Sequence, residues 1–256
     1  MAAADSGNDN SSSFRLAVTA VPDDRDAVVA VLRETVKMNA VDAKIRLHQV
    51  PAVWPEEYAA DVALAARDQL RSVGVSVCAV LASSADNLHA QTVHHVRCTE
   101  EGFVVVSLTG EAGTPLPWET LKLISVADVD GLQHRTTGAF SSDYLQTHPH
   151  ISPSGANKRT EHGLELNLIF SDPQACYRID AGLMNYEYLG ESLSSSTTEN
   201  FKQLLIDLTR HAAAAAQTPL TEQFATGKLH ERDRLKSPQV HHDLAVAYYL
   251  CATCEE

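Results

Sequence analysis

The stretch that decides the fold runs from Val28 to Val77 and reads VVAVLRETVKMNAVDAKIRLHQVPAVWPEEYAADVALAARDQLRSVGVSV. At its start, Val28, Val31 and Leu32 recur at i, i+3 and i+4, the spacing that places apolar side chains on one helix face. Near its end, Gly74 is a residue that can take the left-handed conformation in which helices stop. The stretch therefore predicts helices bounded by strands.

The pattern continues outward on both sides of this stretch. Asp23 or Asp24 is placed to cap the first helix, and Pro22 ends the strand before it. The predicted elements are a strand over Phe14–Val21, a helix that includes Val28–Thr35, a short helix near Val41–Leu47, a helix over Glu56–Ser72 and a strand over Val75–Leu81. They make a small α+β domain over residues 14–82. Residues 1–13 are small and polar, which predicts a disordered tail.

The residues of this domain also follow the pattern of a known family. An Arg-Glu pair precedes an Ala-Lys pair at the family spacing, and a proline and five further positions come after them. The matching positions are Arg33-Glu34, Ala43-Lys44, Pro51, Ala63, Arg67, Leu70, Gly74 and Val77. No insertion is needed to align them. The segment thus resembles the C-terminal domain of the bacterial ribosomal stalk protein, whose fold the Clp-protease adaptor shares.

The resemblance implies a docking role, because lysines on the first two helices of that family meet translation factors. Ala30 and Val41 stand at two of those lysine positions, whereas Lys44 remains. The two glycines of the family's first turn are replaced by Lys37 and Asn39. The residual basic set is predicted to contact an acidic protein partner, the alternative being a solvated face. It consists of Arg33, Lys44 and Arg67.

Composition limits the classes of function. The chain has 256 residues, 44% of them apolar, which is enough for about two domains. Its net charge of −13 argues against nonspecific binding to nucleic acid or to an anionic membrane. No apolar run reaches the roughly 18 residues of a membrane span, and no secretory signal is visible. Five scattered cysteines do not form a disulfide framework, so a reducing, cytoplasmic location is expected.

Residues 88–218 are predicted to form a β-rich domain. Its alternating or apolar runs indicate about six strands, and a capping box at Ser196 and Glu199 then begins an amphipathic helix. The strands are predicted over Thr92–Cys98, Phe103–Leu108, Trp118–Val126, Leu164–Phe170, Cys176–Asp180 and Tyr186–Leu189. Six strands followed by one helix loosely resemble the bacterial pleckstrin-homology domains. The helix is expected to extend through Ala212–Ala216 and to end at Pro219, and residues 219–256 form a C-terminal segment.

The candidate chemistry is sparse. Cys251 and Cys254 are spaced as two zinc ligands, and His241-His242 could complete a four-ligand site. The favoured interpretation is a pair of terminal cysteines on or beside a docked helix, so no metal site is predicted. His94-His95, His148 and His150 are predicted to be ordinary solvent-facing histidines rather than metal ligands. Motifs for phosphate loops, dinucleotide binding and serine nucleophiles are missing, so no cofactor and no catalytic residue is predicted.

Three hypotheses about function follow from these patterns. The first is a non-catalytic interaction or regulatory protein that binds protein partners through its two domains. The second is an enzyme or metal protein with a His/Cys site between the domains and the loop Thr136–Arg159 as a lid. The third is a small-ligand or lipid-binding module in the β-rich domain. The oligomeric state is left open.

Overall fold

A computed structural model of the chain describes residues 12–107, 109–132 and 161–254. The protein contains helices and mixed sheets, which confirms the predicted α+β class. Its described residues group into two compact units. The first unit holds residues 12–90, 174–176 and 242–254, and the second holds the remainder. No helix in the described ranges combines the length and the apolar character that crossing a membrane requires.

The first unit begins with three strands and four helices. They are β1 (Phe14–Ala20), α1 (Arg25–Thr35), α2 (Ala40–His48), β2 (Ala52–Val53), α3 (Ala60–Ser72), β3 (Ser76–Leu81) and α4 (Ala82–Asp86). The sheet order is β2-β1-β3, and β1 pairs antiparallel with both neighbours. Helix α1 packs against α2 and α3. Leu32, Trp54 and Leu70 are fully buried in the apolar core between these elements.

Local signals explain where these helices begin and end. Asp24 caps α1 by accepting a hydrogen bond from the backbone N–H of Ala27, as predicted. Asn39 caps α2 in the same way from an extended backbone conformation. The left-handed residue of this turn is instead Lys37, with φ of 55°. The pattern that ends α3 is also as predicted, because Gly74 has a φ of 87°.

Two boundaries in this unit differ from the prediction. Helix α3 begins at Ala60 rather than at Glu56, because Tyr58 exchanges two backbone hydrogen bonds with Phe14 and extends the sheet edge. The polar residues Ser83–Asn87 predict a link between the two domains, yet Ala82–Asp86 is helical.

The remaining elements begin at residue 90. They are β4 (Ala90–Thr92), β5 (Val96–Cys98), β6 (Phe103–Val105), β7 (Leu121–Leu132), β8 (Glu161–Ser171), β9 (Gln174–Asp180), α5 (Thr197–His211), β10 (Ala216–Gln217), α6 (Pro219–Ala225) and α7 (Pro238–Cys254). Five strands form a sheet of order β10-β7-β8-β9-β4. Strands β5 and β6 pair antiparallel, which confirms the predicted hairpin. Gly102 is required in its turn, because an added Cβ would lie 2.2 Å from the carbonyl oxygen of Leu116.

Three predicted elements in this part are wrong. Thr92–Cys98 is not one strand, because Val93 donates to Arg178 of β9 while His95 accepts from Val106 near β6. The predicted strand Tyr186–Leu189 overlaps a 3₁₀ helix over Glu187–Ser192.

The alanine run after α5 is the third. Helix α5 ends at His211, Ala216 pairs with β7 in a parallel ladder, and Pro219 begins α6 instead of ending α5. Sheet pairing has overridden the high helix propensity of alanine here.

The alternating apolar and polar residues of β8 do not give this strand a solvent-exposed face. Leucines alternate with Glu165 and Asn167, a pattern typical of a half-buried strand. Residues 165–170 are nevertheless all buried. The polar positions of β8 therefore point into a second interior layer, whose contacts are described below.

Some predictions fall on residues that are not described. Residues 1–11 of the predicted tail and the loop Thr136–Arg159, with His148 and His150, lie outside the described ranges. Ser13, the last residue of the predicted tail, belongs to the folded unit, because its hydroxyl donates to Glu57 at 2.7 Å.

Candidate functional site

The predicted basic set is spread over three helices of the first unit. Arg33 on α1 and Lys44 on α2 are exposed, and Arg67 on α3 is half-buried. Arg67 pairs with its neighbour Asp68 at 2.8 Å. Within the described residues, neither Arg33 nor Lys44 forms an ion pair. Two of the three predicted cations are therefore available to a carboxylate from outside.

An apolar surface lies beside Lys44. Val41 is 68% exposed and Ile45 is 47% exposed, and the two lie one helical turn apart. Lys44 belongs to the same face, because positions 41, 44 and 45 follow the i, i+3, i+4 spacing. The opposite side of the helix is buried through Ala43 and Leu47. We call Val41, Lys44 and Ile45 the α2 face.

The sequence contained the signal for this face, but it was not singled out. Helix α2 has two apolar sets, and only one of them can be turned toward a core. The family pattern identifies Val41 only as the replacement of a lysine. A short helix with apolar residues on both sides should prompt the question of what covers the outer set.

A groove in the second unit is the other candidate site. It has a volume of about 810 Å³ and is lined mainly by polar and charged side chains and glycines. The charged lining includes Asp128, His162, Asp180, Lys202, His230 and Arg234. Such a volume lies within the range of roughly 300–1,000 Å³ that is usual for small-molecule sites.

An ion-pair network crosses this groove. The Nε of Arg234 donates to Asp128 at 2.9 Å, and the same carboxylate contacts Nδ1 of His162 at 3.3 Å. The Nη1 atom of Arg234 lies 3.6 Å from Glu231 and 3.8 Å from Asp130. The hydrogen bond to Asp128, more than any other contact, raises the pKa of Arg234. The lining residues span more than a hundred positions, so no local motif could have predicted this groove.

A buried polar network lies behind β7 and β8 of the second unit. Ser125 Oγ is 2.9 Å from His241 Nε2, and His241 Nδ1 is 2.8 Å from Glu165 Oε1. Asn167 Nδ2 is 2.9 Å from the same Nδ1. The order serine, imidazole, carboxylate is that of a nucleophilic triad. All four side chains are fully buried, however, so the arrangement offers no surface to a substrate and serves the interior.

The four residues of the alternative zinc site, His241, His242, Cys251 and Cys254, are not assembled around a common centre. Both ring nitrogens of His241 are engaged by Ser125 and Glu165, and His242 contacts Cys176 at 3.9 Å. In the described residues, no group of three or more His, Cys, Asp or Glu side chains has the geometry of a metal site. His94 and His95 are half-buried rather than solvent-facing, and one ring nitrogen of each lacks a described hydrogen-bond partner.

Comparisons of the chain with protein-family models, with curated proteins and with solved structures find no match. The likeness of the first domain to the stalk-protein domain therefore stays a prediction carried by the residues from Arg33 to Val77. The likeness of the β-rich domain to pleckstrin-homology domains also stays a prediction.

Proposed function

We propose that this chain is a non-catalytic interaction protein with a regulatory role, which binds a protein partner through the α2 face. The carrying observation is the exposure of Val41 and Ile45 beside Lys44. Neither Lys44 nor Arg33, on the neighbouring helix α1, has an ion pair within the described residues. The partner segment that fits presents apolar side chains next to carboxylates, as one side of an acidic amphipathic helix does.

The energetics favour a modest but specific contact. Burying the exposed parts of Val41 and Ile45 contributes roughly 1–2 kcal/mol each at about 25 cal/mol per Å². The cations add selectivity and a faster approach rather than much affinity. The chain as a whole is acidic, with a net charge of −13. Charges more than about 8 Å away are screened at physiological salt, so the local cations dominate at short range.

The finer fold belongs to the same proposal. The element order of strand, two helices, short strand, helix and strand, with β1 at the centre of its sheet, supports a stalk-protein-like domain at residues 14–82. The proposed second domain is pleckstrin-homology-like, and the amphipathic helix α5 that follows its strands supports this. The fold alone does not assign the partner.

The test compares substitutions on the α2 face with a matched substitution elsewhere. The purified chain is immobilised, and the proteins it captures are quantified for wild type, Val41→Ser/Ile45→Ser, Lys44→Glu and Ile206→Ser. Ile206 is a suitable control because it is 55% exposed on α5 in the second unit. One protein should be captured in near-equal amount by wild type and I206S, and lost from both α2 variants.

Reconstitution then decides the matter. The captured protein, purified separately, should bind wild type with a Kd at least about tenfold lower than it binds the double variant, a difference of ~1.4 kcal/mol. Capture that is indifferent to the α2 substitutions contradicts the proposal. So does self-association of the chain that V41S/I45S abolishes, because the occupant would then be a second copy.

The groove supports a second candidate function, the binding of a small polar ligand. Its specific observation is the 810 Å³ volume with both signs of charge along its lining. Arg234→Gln should abolish stabilisation by a bound ligand in a thermal-shift screen of charged metabolites. Arg232→Gln is the control, because its side chain is 81% exposed whereas that of Arg234 is 18% exposed. A ligand that shifts Tm equally in wild type and R234Q would not occupy this groove.

A further inference from the structure

Three cysteines that are far apart in the sequence meet in the first unit. Cys78 lies on β3, and Cys251 and Cys254 lie on the last turn of α7. The Sγ atom of Cys78 is 3.8 Å from the carbonyl oxygen of Cys251, and the side chains of Cys251 and Cys254 both interact with it. The thiol of Cys251 also donates to the carbonyl oxygen of Ala17 at 3.4 Å. We call these three residues the thiol cluster. The Cys-x-x-Cys spacing therefore has a third member that the sequence did not reveal.

An arginine completes the surroundings of Cys78. The Nη2 atom of Arg71 donates to Cys78 Sγ at 3.4 Å, and its Nε is held by the carbonyl oxygen of Val77 at 2.9 Å. Hydrogen bonds from Cys251 and Cys254, together with the charge of Arg71, hold the pKa of Cys78 well below its ordinary range. The same contacts and burial raise the pKa of Cys251 and of Cys254. Of the three cysteines in the cluster, only Cys78 thus has a lowered pKa.

Small reagents have a route to this sulfur. A cavity of about 350 Å³ opens beside β3 and is lined by Cys78, Cys251, Arg71, Thr19 and Ser76, among others. The Cys78 residue is only 2% exposed, so large reagents are excluded. Cys251 lines the same cavity, whereas Cys254 does not.

We propose that Cys78 and Cys251 are a redox-active thiol pair, in which Cys78 reacts with a hydroperoxide and Cys251 closes a disulfide. The proposal concerns the first unit alone and is independent of the α2 face. A structural pair of buried thiols would need neither the guanidinium nor the cavity. A metal site fits less well, because Arg71 places a positive charge against the sulfur that would bind the cation.

The chemistry balances in two steps. The Cys78 thiolate attacks the distal oxygen of the hydroperoxide, an S–O bond forms, the O–O bond breaks, and hydroxide or alkoxide leaves and takes a proton from water. Sulfur is oxidised by two electrons and the peroxide is reduced by two. The Cys251 thiol then loses its proton and attacks the Cys78 sulfenic acid, whose oxygen leaves as water as the S–S bond forms. Arg71 stabilises the attacking thiolate but takes no part in the redox balance.

The test uses the full reduced chain and hydrogen peroxide as the probe. Peptide mapping under non-reducing conditions should show one disulfide, between Cys78 and Cys251, with a loss of about 2 Da per chain. The Cys251→Ser/Cys254→Ser variant, which lacks both neighbouring thiols, should instead accumulate a sulfenic acid on Cys78 that dimedone traps. The Cys176→Ser variant, which lacks a cysteine outside the thiol cluster, should form the disulfide as wild type does.

A rate measurement keeps the proposal falsifiable if a cysteine variant fails to fold. Arg71→Gln should move the pH dependence of the reaction of Cys78 with peroxide to higher pH, because the guanidinium no longer stabilises the thiolate. Arg25→Gln, at an exposed residue of α1, is the control and should leave this pH dependence unchanged. A disulfide that joins Cys78 to Cys254, no oxidation of Cys78 at all, or the same pH dependence in R71Q and wild type would each overturn the proposal.

Discussion

The two units differ in what they bury. Outside the thiol cluster, every buried polar or charged side chain among the described residues belongs to the second unit. They are Ser125, Glu165, Asn167, Asp180, Asn200, Asp207, Thr218, Thr221 and His241. The core of the first unit is built from apolar side chains alone. The first unit can therefore be specified by the spacing of its hydrophobic residues, whereas the second requires particular pairs of polar groups to find one another.

The polar interior of the second unit depends on contacts between remote positions. Thr221 accepts from the backbone N–H of Val126 and donates to the carbonyl oxygen of Ile124, so it ties α6 to β7. Thr218 joins Thr221 at 2.9 Å. A buried polar group that loses its partner costs about 1–3 kcal/mol, and a buried charge costs more. Unfolding experiments on each unit can test this difference, because Trp54 lies in the first unit and Trp118 in the second, and the chain has no other tryptophan.

The largest effect is expected from His241→Ala. It leaves the Glu165 carboxylate buried without its imidazole partner, with Arg178 Nε 3.8 Å away. The free energy of unfolding should fall by about 3–5 kcal/mol. Urea denaturation followed through Trp118 in a Trp54→Phe background measures it. His89→Ala, at an exposed histidine, should change stability by less than about 0.5 kcal/mol.

A double substitution sharpens the same point. Glu165→Leu/His241→Leu removes both partners and should cost less than His241→Ala alone, because the fully buried carboxylate is gone and Arg178, which loses it as a partner, is 23% exposed. If the double variant were the less stable of the two, the loss in free energy of unfolding would come from lost side-chain packing rather than from an unpaired charge.

In the first unit, Leu70→Ala should lower the free energy of unfolding by about 3 kcal/mol, through lost burial and the cavity left behind. Leu70 is fully buried in α3. Trp54 fluorescence during denaturation of a Trp118→Phe background reports the change. Leu64→Ala is the matched control, because Leu64 lies on the same helix and is 40% exposed. Equal losses at both positions would contradict the apolar-core account of this unit.

Helix caps should act alike in both units. Asn39→Ala in the first unit and Ser196→Ala in the second each remove a side chain that accepts from the backbone at a helix start. Each should cost about 1 kcal/mol, by the same denaturation measurements. A much larger loss for Ser196→Ala would show that the second unit depends on its polar contacts even at its edges.

The smallest effect is expected at Lys37. Its left-handed backbone carries a steric cost of about 1–2 kcal/mol in a residue with a Cβ, and its Nζ donates to the carbonyl oxygen of Glu34. Lys37→Gly relieves the steric cost and removes the hydrogen bond to Glu34. It also makes the unfolded chain more flexible. The variant should be more stable by roughly 0.5 kcal/mol, as followed through Trp54. A loss of stability would mean that the hydrogen bond outweighs the strain.

The elements of the first unit could be predicted because their signals are local. Asp24, Gly74 and the apolar stripe of α1 act within a few residues of themselves. The α+β class followed from them. The start of α3 was misplaced because the pairing of Tyr58 with Phe14 joins residues 44 positions apart.

The interior of the second unit could not be predicted, because its contacts join residues that are far apart in the sequence. Glu165 and Asn167 are paired by His241, which lies more than seventy residues later. On the sequence, these side chains look like the solvent face of a strand. The groove and the thiol cluster are also made by residues that no spacing rule connects, and the predicted set of Arg33, Lys44 and Arg67 stays a prediction.

The first unit includes the last turns of α7 as well as the first strands of the chain. During translation, Cys78 leaves the ribosome 173 residues before Cys251. Until Cys251 is synthesised, the nascent N-terminal segment lacks the last turns of α7, and Cys78 has neither Cys251 nor Cys254 beside it. A polypeptide that terminates within this interval would therefore have an incomplete first unit, in which β3 carries a cysteine without its later partners.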